Sequence, residues 1–203
     1  MSRPIIVWFR RDLRISDHAA LWHAAQTGAP IVPLFIVDKR LIAELPSDGA
    51  IFNFQAACLE ELSQALAERG ALLCIRYGTP EEVFAELFRE LKPAALYYNR
   101  DYEPHARARD EAVERLAQAH GVEVQSFKDH VLVEPWEVAT AEGKPFTVYS
   151  PFFRAWQKLP KQEPYGTPER LLGVRGPCLR AHPHSRTAWE THHHPPMGGR
   201  AGL

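Results

Sequence analysis

At 203 residues, 45% hydrophobic and 24% charged, the chain is long enough for one well-buried domain plus an appendage and too short for two large ones. Its formal net charge of -1 excludes a global field that would draw DNA or an anionic membrane to the whole molecule. Cys58, Cys74 and Cys178 lack CxxC spacing, no apolar stretch approaches the roughly 20 residues of a membrane span, and no cleavage-type leader stands at the N-terminus; a soluble cytoplasmic protein with unpaired thiols is expected.

In chain order, Ile5-Ile6-Val7 reads as a strand buried on both faces, since β-branched residues follow one another without polar alternation. It runs straight into Trp8-Phe9-Arg10-Arg11-Asp12-Leu13-Arg14. Charge at the C-terminal end of such a strand either pairs internally or faces a ligand. A helix capped by Asp17 is expected to run to about Thr27, with Gly28 as its stop, and Ile31 to Val37 is the next buried strand. A helix over about 50–69 should turn Phe54, Ala57, Cys58, Leu62, Ala65 and Leu66 inward, and Leu72 to Tyr77 is a third strand. Thr79-Pro80-Glu81-Glu82 is a capping box that starts a helix burying Val83, Phe84, Leu87, Phe88 and Leu91. A strand over 94–98, a charged helix over 103–120 and a strand over 122–127 complete the alternation.

Strict β-α alternation with short connections implies an α/β fold: a Rossmann-like, five-stranded parallel sheet with helices on both faces and a site at the C-terminal edge of the strands. The domain is expected over 1–130 and a connector with an aromatic helix near Tyr149 to Trp156 over 131–162. A disordered tail rich in Pro, Gly, Arg and His is expected over 163–203. No GxGxxG follows the first strand and no GxxxxGK[ST] occurs, which argues against dinucleotide and P-loop fingerprints.

Four separated segments resemble the DNA photolyase and cryptochrome family. They are Val7 to Asp17, Tyr97-Tyr98-Asn99-Arg100-Asp101-Tyr102-Glu103-Pro104, Arg107-Ala108-Arg109-Asp110, and Phe127-Lys128-Asp129 with Gly143 to Phe152. The resemblance implies an N-terminal α/β domain that holds a light-harvesting antenna chromophore. In the full-length family this domain is joined to a helical domain that binds FAD and splits pyrimidine dimers in damaged DNA. The 47 residues that follow Trp156 lack the helices an FAD pocket needs, so no catalytic residue is assigned and the chain alone is expected to be inactive in repair. A truncated or frameshifted photolyase is expected. A cryptochrome light-sensor fragment and a stand-alone chromophore- or nucleotide-binding module are the alternatives, and a monomer is expected.

The antenna candidates are Phe35, Asp38, Asp101, Glu103 and His105. Phe35 would stack on a ring and the carboxylates would accept from an amide edge; alternatively Phe35 is core, and Asp101 and Glu103 cap the following helix. Folate-binding members carry Asn-Glu where this chain has His105-Ala106, which disfavours a folate and leaves deazaflavin or FMN. Several relatives that bind a deazaflavin or flavin carry a basic residue where this chain has Ile51. His192-His193-His194 lacks partner ligands at metal spacing, and no metal site is expected.

Overall fold

The computed structural model describes residues 2–42 and 50–174. Five parallel strands, β1 (Ile5–Phe9), β2 (Ile31–Asp38), β3 (Cys74–Gly78), β4 (Ala95–Asn99) and β5 (Glu123–Phe127), form one sheet in the order β3-β2-β1-β4-β5. Side-chain alternation divides the core in two. Ile6 and Trp8 of β1, with Leu96 and Tyr98 of β4, pack under α4 (Pro80–Leu91) and α5 (Pro104–Ala119). Ile5, Val7 and Phe9, with Ala95 and Tyr97, pack under α1 (Ala19–Gln26) and α3 (Ala50–Glu68). Both faces of the sheet are therefore covered, as a parallel sheet requires. Winding β1 to β2 to β3 puts helices on one face and the return to β4 puts them on the other, so the topological switch falls between β1 and β4.

The capping box forms as expected: Thr79 Oγ1 accepts from Glu82 N at 3.3 Å and Thr79 N donates to the Glu82 carboxylate at 2.9 Å. Two expectations fail locally. Asp17 does not cap α1; it sits at φ 48° and its carboxylate accepts from Tyr165 N, while buried His18 takes the cap, its Nδ1 accepting from Leu21 N at 3.0 Å. In α3 the inward face is Ala56, Leu59, Leu62 and Leu66, whereas Phe54 is 72% exposed and Ala57 is exposed. The 19-residue helix is about 28 Å long against about 17 Å for a five-residue strand. The exposed side chains lie on its first turns, ahead of the buried Leu59-Leu62-Leu66 stripe. The other helices are α2 (Lys39–Ile42) and α6 (Tyr149–Lys158), the latter with no buried residue.

Residues 163–174 depart from the expected disordered tail. Tyr165 O accepts from Asp17 N while Tyr165 N donates to the Asp17 carboxylate, Leu171 is buried under α3, and Leu172 O accepts from Ile31 N at 2.7 Å. Gly173 N donates to Gly70 O, and Gly173 bridges Ile31 in parallel register. The segment is a strap that runs from Asp17, ahead of α1, to the N-terminal end of β2. Residues 175–203, with Cys178 and the histidine run, lie outside the described residues.

The switch point is filled by protein. Arg10, continuing the Ile6-Trp8 face of β1, directs Nη1 at both oxygens of Asp110 on α5 at 2.7 Å and Nη2 at Asn99 O. Its guanidinium lies 4.8 Å from both the Trp8 and Tyr98 ring centroids, within cation–π range. Asp12 accepts from Arg10 N at 2.7 Å, from Asn99 Nδ2 at 2.7 Å and from His18 Nε2 at 2.9 Å. Asn99 Oδ1 accepts from Ala20 N at 2.9 Å, tying β4 to the start of α1. Because Leu21 N–H donates to His18 Nδ1, the ring proton sits on Nε2 and points at Asp12. Burial works against the charged form of Asp12, but the His18 and Arg10 N–H bonds outweigh it and hold the carboxyl well below the usual carboxylate range.

Two predictions follow from the strap and the plug. A Cβ on Gly173 would lie 2.3 Å from Gly70 O and 2.8 Å from Ala71 Cα, both backbone, so Gly173→Ala should lower urea-denaturation stability by about 1–3 kcal/mol. Gly166→Ala, with nothing within 4 Å, should be neutral within about 0.5 kcal/mol, and equal stability of the two variants would refute the strap's contribution. Asp12→Asn should cost about 2 kcal/mol near neutral pH, since its amide would confront three donors. The sign for pH follows from a lowered folded-state pKa: the ionised carboxylate contributes fully above its unfolded value of about 3.9 and the contribution is lost as pH falls through the lower folded value. Urea midpoints between about pH 5 and pH 2 should therefore fall more steeply for the parent than for Asp12→Asn. Parallel slopes would count against the assignment.

Candidate functional site

With the switch point plugged, the C-terminal edge is divided into two sides that flank the first turn. On the β2 side stand Phe35 and Asp38. Phe35 is 5% exposed and belongs to the core under α3, with Leu59 and Leu62. Asp38 ends β2; its carboxylate accepts from Arg40 N at 2.9 Å and holds the Arg40 guanidinium at 2.8 Å. That hydrogen-bonded pair raises the Arg40 pKa against the opposing effect of burial. Lys39 donates to Glu82 at 2.8 Å, and this bond, with that from Thr79 N, holds Glu82 at about 2. Around these charges, Leu41, Ile51 and Phe54 are 51%, 71% and 72% exposed. Helices in a parallel β/α sheet begin at the C-terminal edge of the strands, so the first turns of α3 bring Ile51 and Phe54 to the same rim as Asp38. The rim thus carries exposed apolar side chains as well as hydrogen-bonding groups.

On the β4 side stand Asp101, Glu103 and His105. Exposed Arg11 pairs with Glu103 through both carboxylate oxygens at 2.9 and 2.7 Å and approaches Asp101 at 3.9 Å. The Arg11 bond is the main reason the Glu103 pKa is lowered. Asp101 accepts from Glu103 N at 3.3 Å, as a residue before a helix often does, while Glu103 occupies the N-cap of α5 without a side-chain cap bond. His105 is exposed, with Nε2 3.4 Å from the Glu103 carboxylate. The five candidates therefore form two groups, one at the end of β2 and one after β4. Arg11 joins two of them, Asp101 and Glu103, and His105 is reached only through Glu103.

Other groups at this edge, most of them within the segments that carry the family resemblance, are paired within the protein. Buried Glu134 accepts from Arg100 Nε at 2.6 Å and from Tyr102 hydroxyl at 2.8 Å, and burial together with Glu134 raises the Tyr102 pKa. Arg14 pairs with buried Asp129 at 2.8 Å. Arg10 and Asp110 were legible by parity: Arg10 follows Ile6 and Trp8 on one strand face, and Asp110 falls with Ala106, Val113 and Ala117 on the buried stripe of α5. Among the described residues no group of three or more His, Cys, Asp and Glu side chains is placed to hold a metal ion, and no helix is long and apolar enough to cross a membrane.

Comparison with known proteins agrees with the resemblance carried by the sequence. The family model described as DNA photolyase matches residues 5–169. A deoxyribodipyrimidine photo-lyase of Synechococcus sp. is 33% identical over 181 residues, covering 89% of this chain and 37% of that protein. Cryptochrome-2 of Arabidopsis thaliana is 32% identical over 155 residues, covering 76% of this chain and 25% of that protein. The crystal structure of a bacterial class III photolyase from Agrobacterium tumefaciens superposes with a TM-score of 0.78 at 33% identity, covering 87% of this chain and 36% of the other. The chain thus spans roughly a quarter to two fifths of the length of these relatives. With a family model running through most of its residues and a matching parallel α/β architecture, this chain belongs to the DNA photolyase family, in which it corresponds to the N-terminal domain.

Proposed function

We propose that the chain is the antenna-chromophore domain of a light-dependent DNA repair photolyase. In this reading it collects light for an FAD held by the part of the protein that the match does not span. Electron transfer to a pyrimidine dimer, and the grip on damaged DNA, belong to that other part. The observation that carries the proposal is the exposed apolar rim of Leu41, Ile51 and Phe54 beside Asp38, at the sheet edge where open α/β folds hold ligands, in a chain of this family.

The side chains fit a planar tricyclic ring. Apolar groups supply its contact face, Phe35 lies in the core beneath, and the Asp38-Arg40 pair supplies an acceptor and a cation at the border. A deazaflavin or FMN suits this border better than a folate, because His105-Ala106 lacks the polar pair of folate-binding members. Asp101, Glu103 and His105 bound the same edge beyond the first turn and would meet a substituent rather than the ring. When bound, the chromophore would supply absorption and energy transfer; the protein's part is to position it and exclude water.

Purified protein incubated with FMN, a deazaflavin or a folate and then desalted should retain one of the first two, read by absorbance. Asp38→Ala should weaken retention about tenfold, the scale of one charge-assisted hydrogen bond. Ile51→Arg, at an exposed position, should tighten it a few-fold by adding a cation for an anionic chromophore. Absence of any retained chromophore would overturn the proposal.

A further inference from the structure

On the far side of β4 from Asp38, between α5, the end of β5 and the 134–136 segment, a cleft of about 280 Å³ opens. Its walls are fixed. Arg100 is held by Glu134 at 2.6 Å and by Ser126 O at 2.5 Å, and Tyr102 donates to the same Glu134 oxygen. Glu134 N is in turn bonded to Glu137 at 2.6 Å. The Tyr102 ring props Trp136 at 5.9 Å and 55°, and Trp136 remains 63% exposed at the mouth. A large, exposed aromatic side chain beside a hydrogen-bonded tyrosine is a stacking platform.

The polar lining is graded along α5. Arg107, Glu111 and Glu114 line the cleft at positions i, i+4 and i+7, a row of about 10 Å. Glu114 accepts from the Tyr98 hydroxyl at the cleft floor. Arg107 and Glu111 make no side-chain hydrogen bond or ion pair with each other or with other described residues. A cation at one end, carboxylates at the other and an aromatic ring beside them read a molecule with an anionic group, a planar body and an N–H edge.

We propose that this cleft binds a purine nucleoside monophosphate, with guanine preferred. Arg107 takes the phosphate, Trp136 stacks on the base, and Glu111 with the free oxygen of Glu114 accepts from the guanine N1–H and 2-amino group. Adenine is disfavoured because its N1 acceptor would face the carboxylates. The volume of about 280 Å³ falls just below the roughly 300–1,000 Å³ typical of ligand pockets, which selects a mononucleotide over a dinucleotide. The site is separate from the rim at Asp38 and does not rest on the antenna reading.

Calorimetric titration of the purified chain with GMP, AMP, guanosine and inorganic phosphate tests it. GMP should bind at least about fivefold more tightly than AMP, and Trp136→Ala should weaken GMP about tenfold, the scale of one base–aromatic stack. Arg107→Ala should reduce GMP affinity to that of guanosine while leaving guanosine unchanged. Both replaced side chains are exposed, and an unaltered thermal midpoint would verify folding. No heat with GMP, or parent-like GMP binding by both variants, would overturn the site; equal affinity for AMP and GMP would overturn the roles of Glu111 and Glu114. Because the readout is nucleotide binding and not chromophore absorbance, its failure is distinguishable from failure of the antenna proposal.

Discussion

The ion pair between Arg10 and Asp110 is the constraint around which this domain is organised. It joins the end of the central strand to the helix that covers one face, and both partners are buried. A buried pair is held in place less by its own attraction than by the cost of leaving either partner alone. Here the surroundings reduce that cost further. Arg109 also reaches Asp110, its Nε at 2.9 Å, so two guanidinium groups share one carboxylate. The surplus positive charge lies against the Trp8 and Tyr98 rings, with Arg109 5.0 Å from the Trp8 centroid. Burial and repulsion from Arg10 accordingly lower the Arg109 pKa. The aromatic end of the β1 motif and the arginine that follows it are one device.

The same device determines where a ligand can sit. An open parallel sheet has its natural crevice where the strand order reverses, and here Asp12, His18 and Asn99 close that crevice with hydrogen bonds in which each partner is used. A fully satisfied buried network rigidifies the backbone around it. The surfaces left for a ligand then lie to either side: the rim proposed near β2, and the aromatic, mixed-charge cleft beyond β4. This differs from dinucleotide folds, where a glycine turn leaves the crevice open to a pyrophosphate. Of the charged residues that replace such a turn, Arg10 and Asp12 serve the protein's own packing.

Much of this was legible in the sequence. The β-branched runs of β1 and β2 and the Thr79-Pro80-Glu81-Glu82 box specify their elements locally, because propensity, burial and capping agree there. Where the reading missed, the decisive interaction was nonlocal. His18 caps α1 in preference to Asp17 because its ring is also buried against Phe9 at 4.6 Å and bonded to Asp12. Phe54 has the spacing of a core residue but lies on the first turns of α3, ahead of its buried stripe. The strap at 163–174 has no apolar period; one leucine and two glycines in close backbone contact hold it, and no local pattern reports such a contact. The two groups of candidate site residues could be named but not separated, since their division depends on which strand is central.

The helix α6 follows a different logic from the rest of the fold. Ten residues with none buried lie below the length at which an isolated helix is stable in water, about 12–15 residues. Its support is local instead. The rings of Tyr149, Phe153 and Trp156 stack successively at 5.7 and 6.0 Å, on positions spaced by four and three, the spacing that brings side chains together on one helix face. Lys161 then folds back over Trp156 at 4.2 Å and donates to the carbonyls of Trp156 and Leu159. It thereby satisfies acceptors that a helix C-terminus leaves open. In the sheet, order comes from burial shared among distant segments; in α6 it comes from neighbours along one helix and its cap.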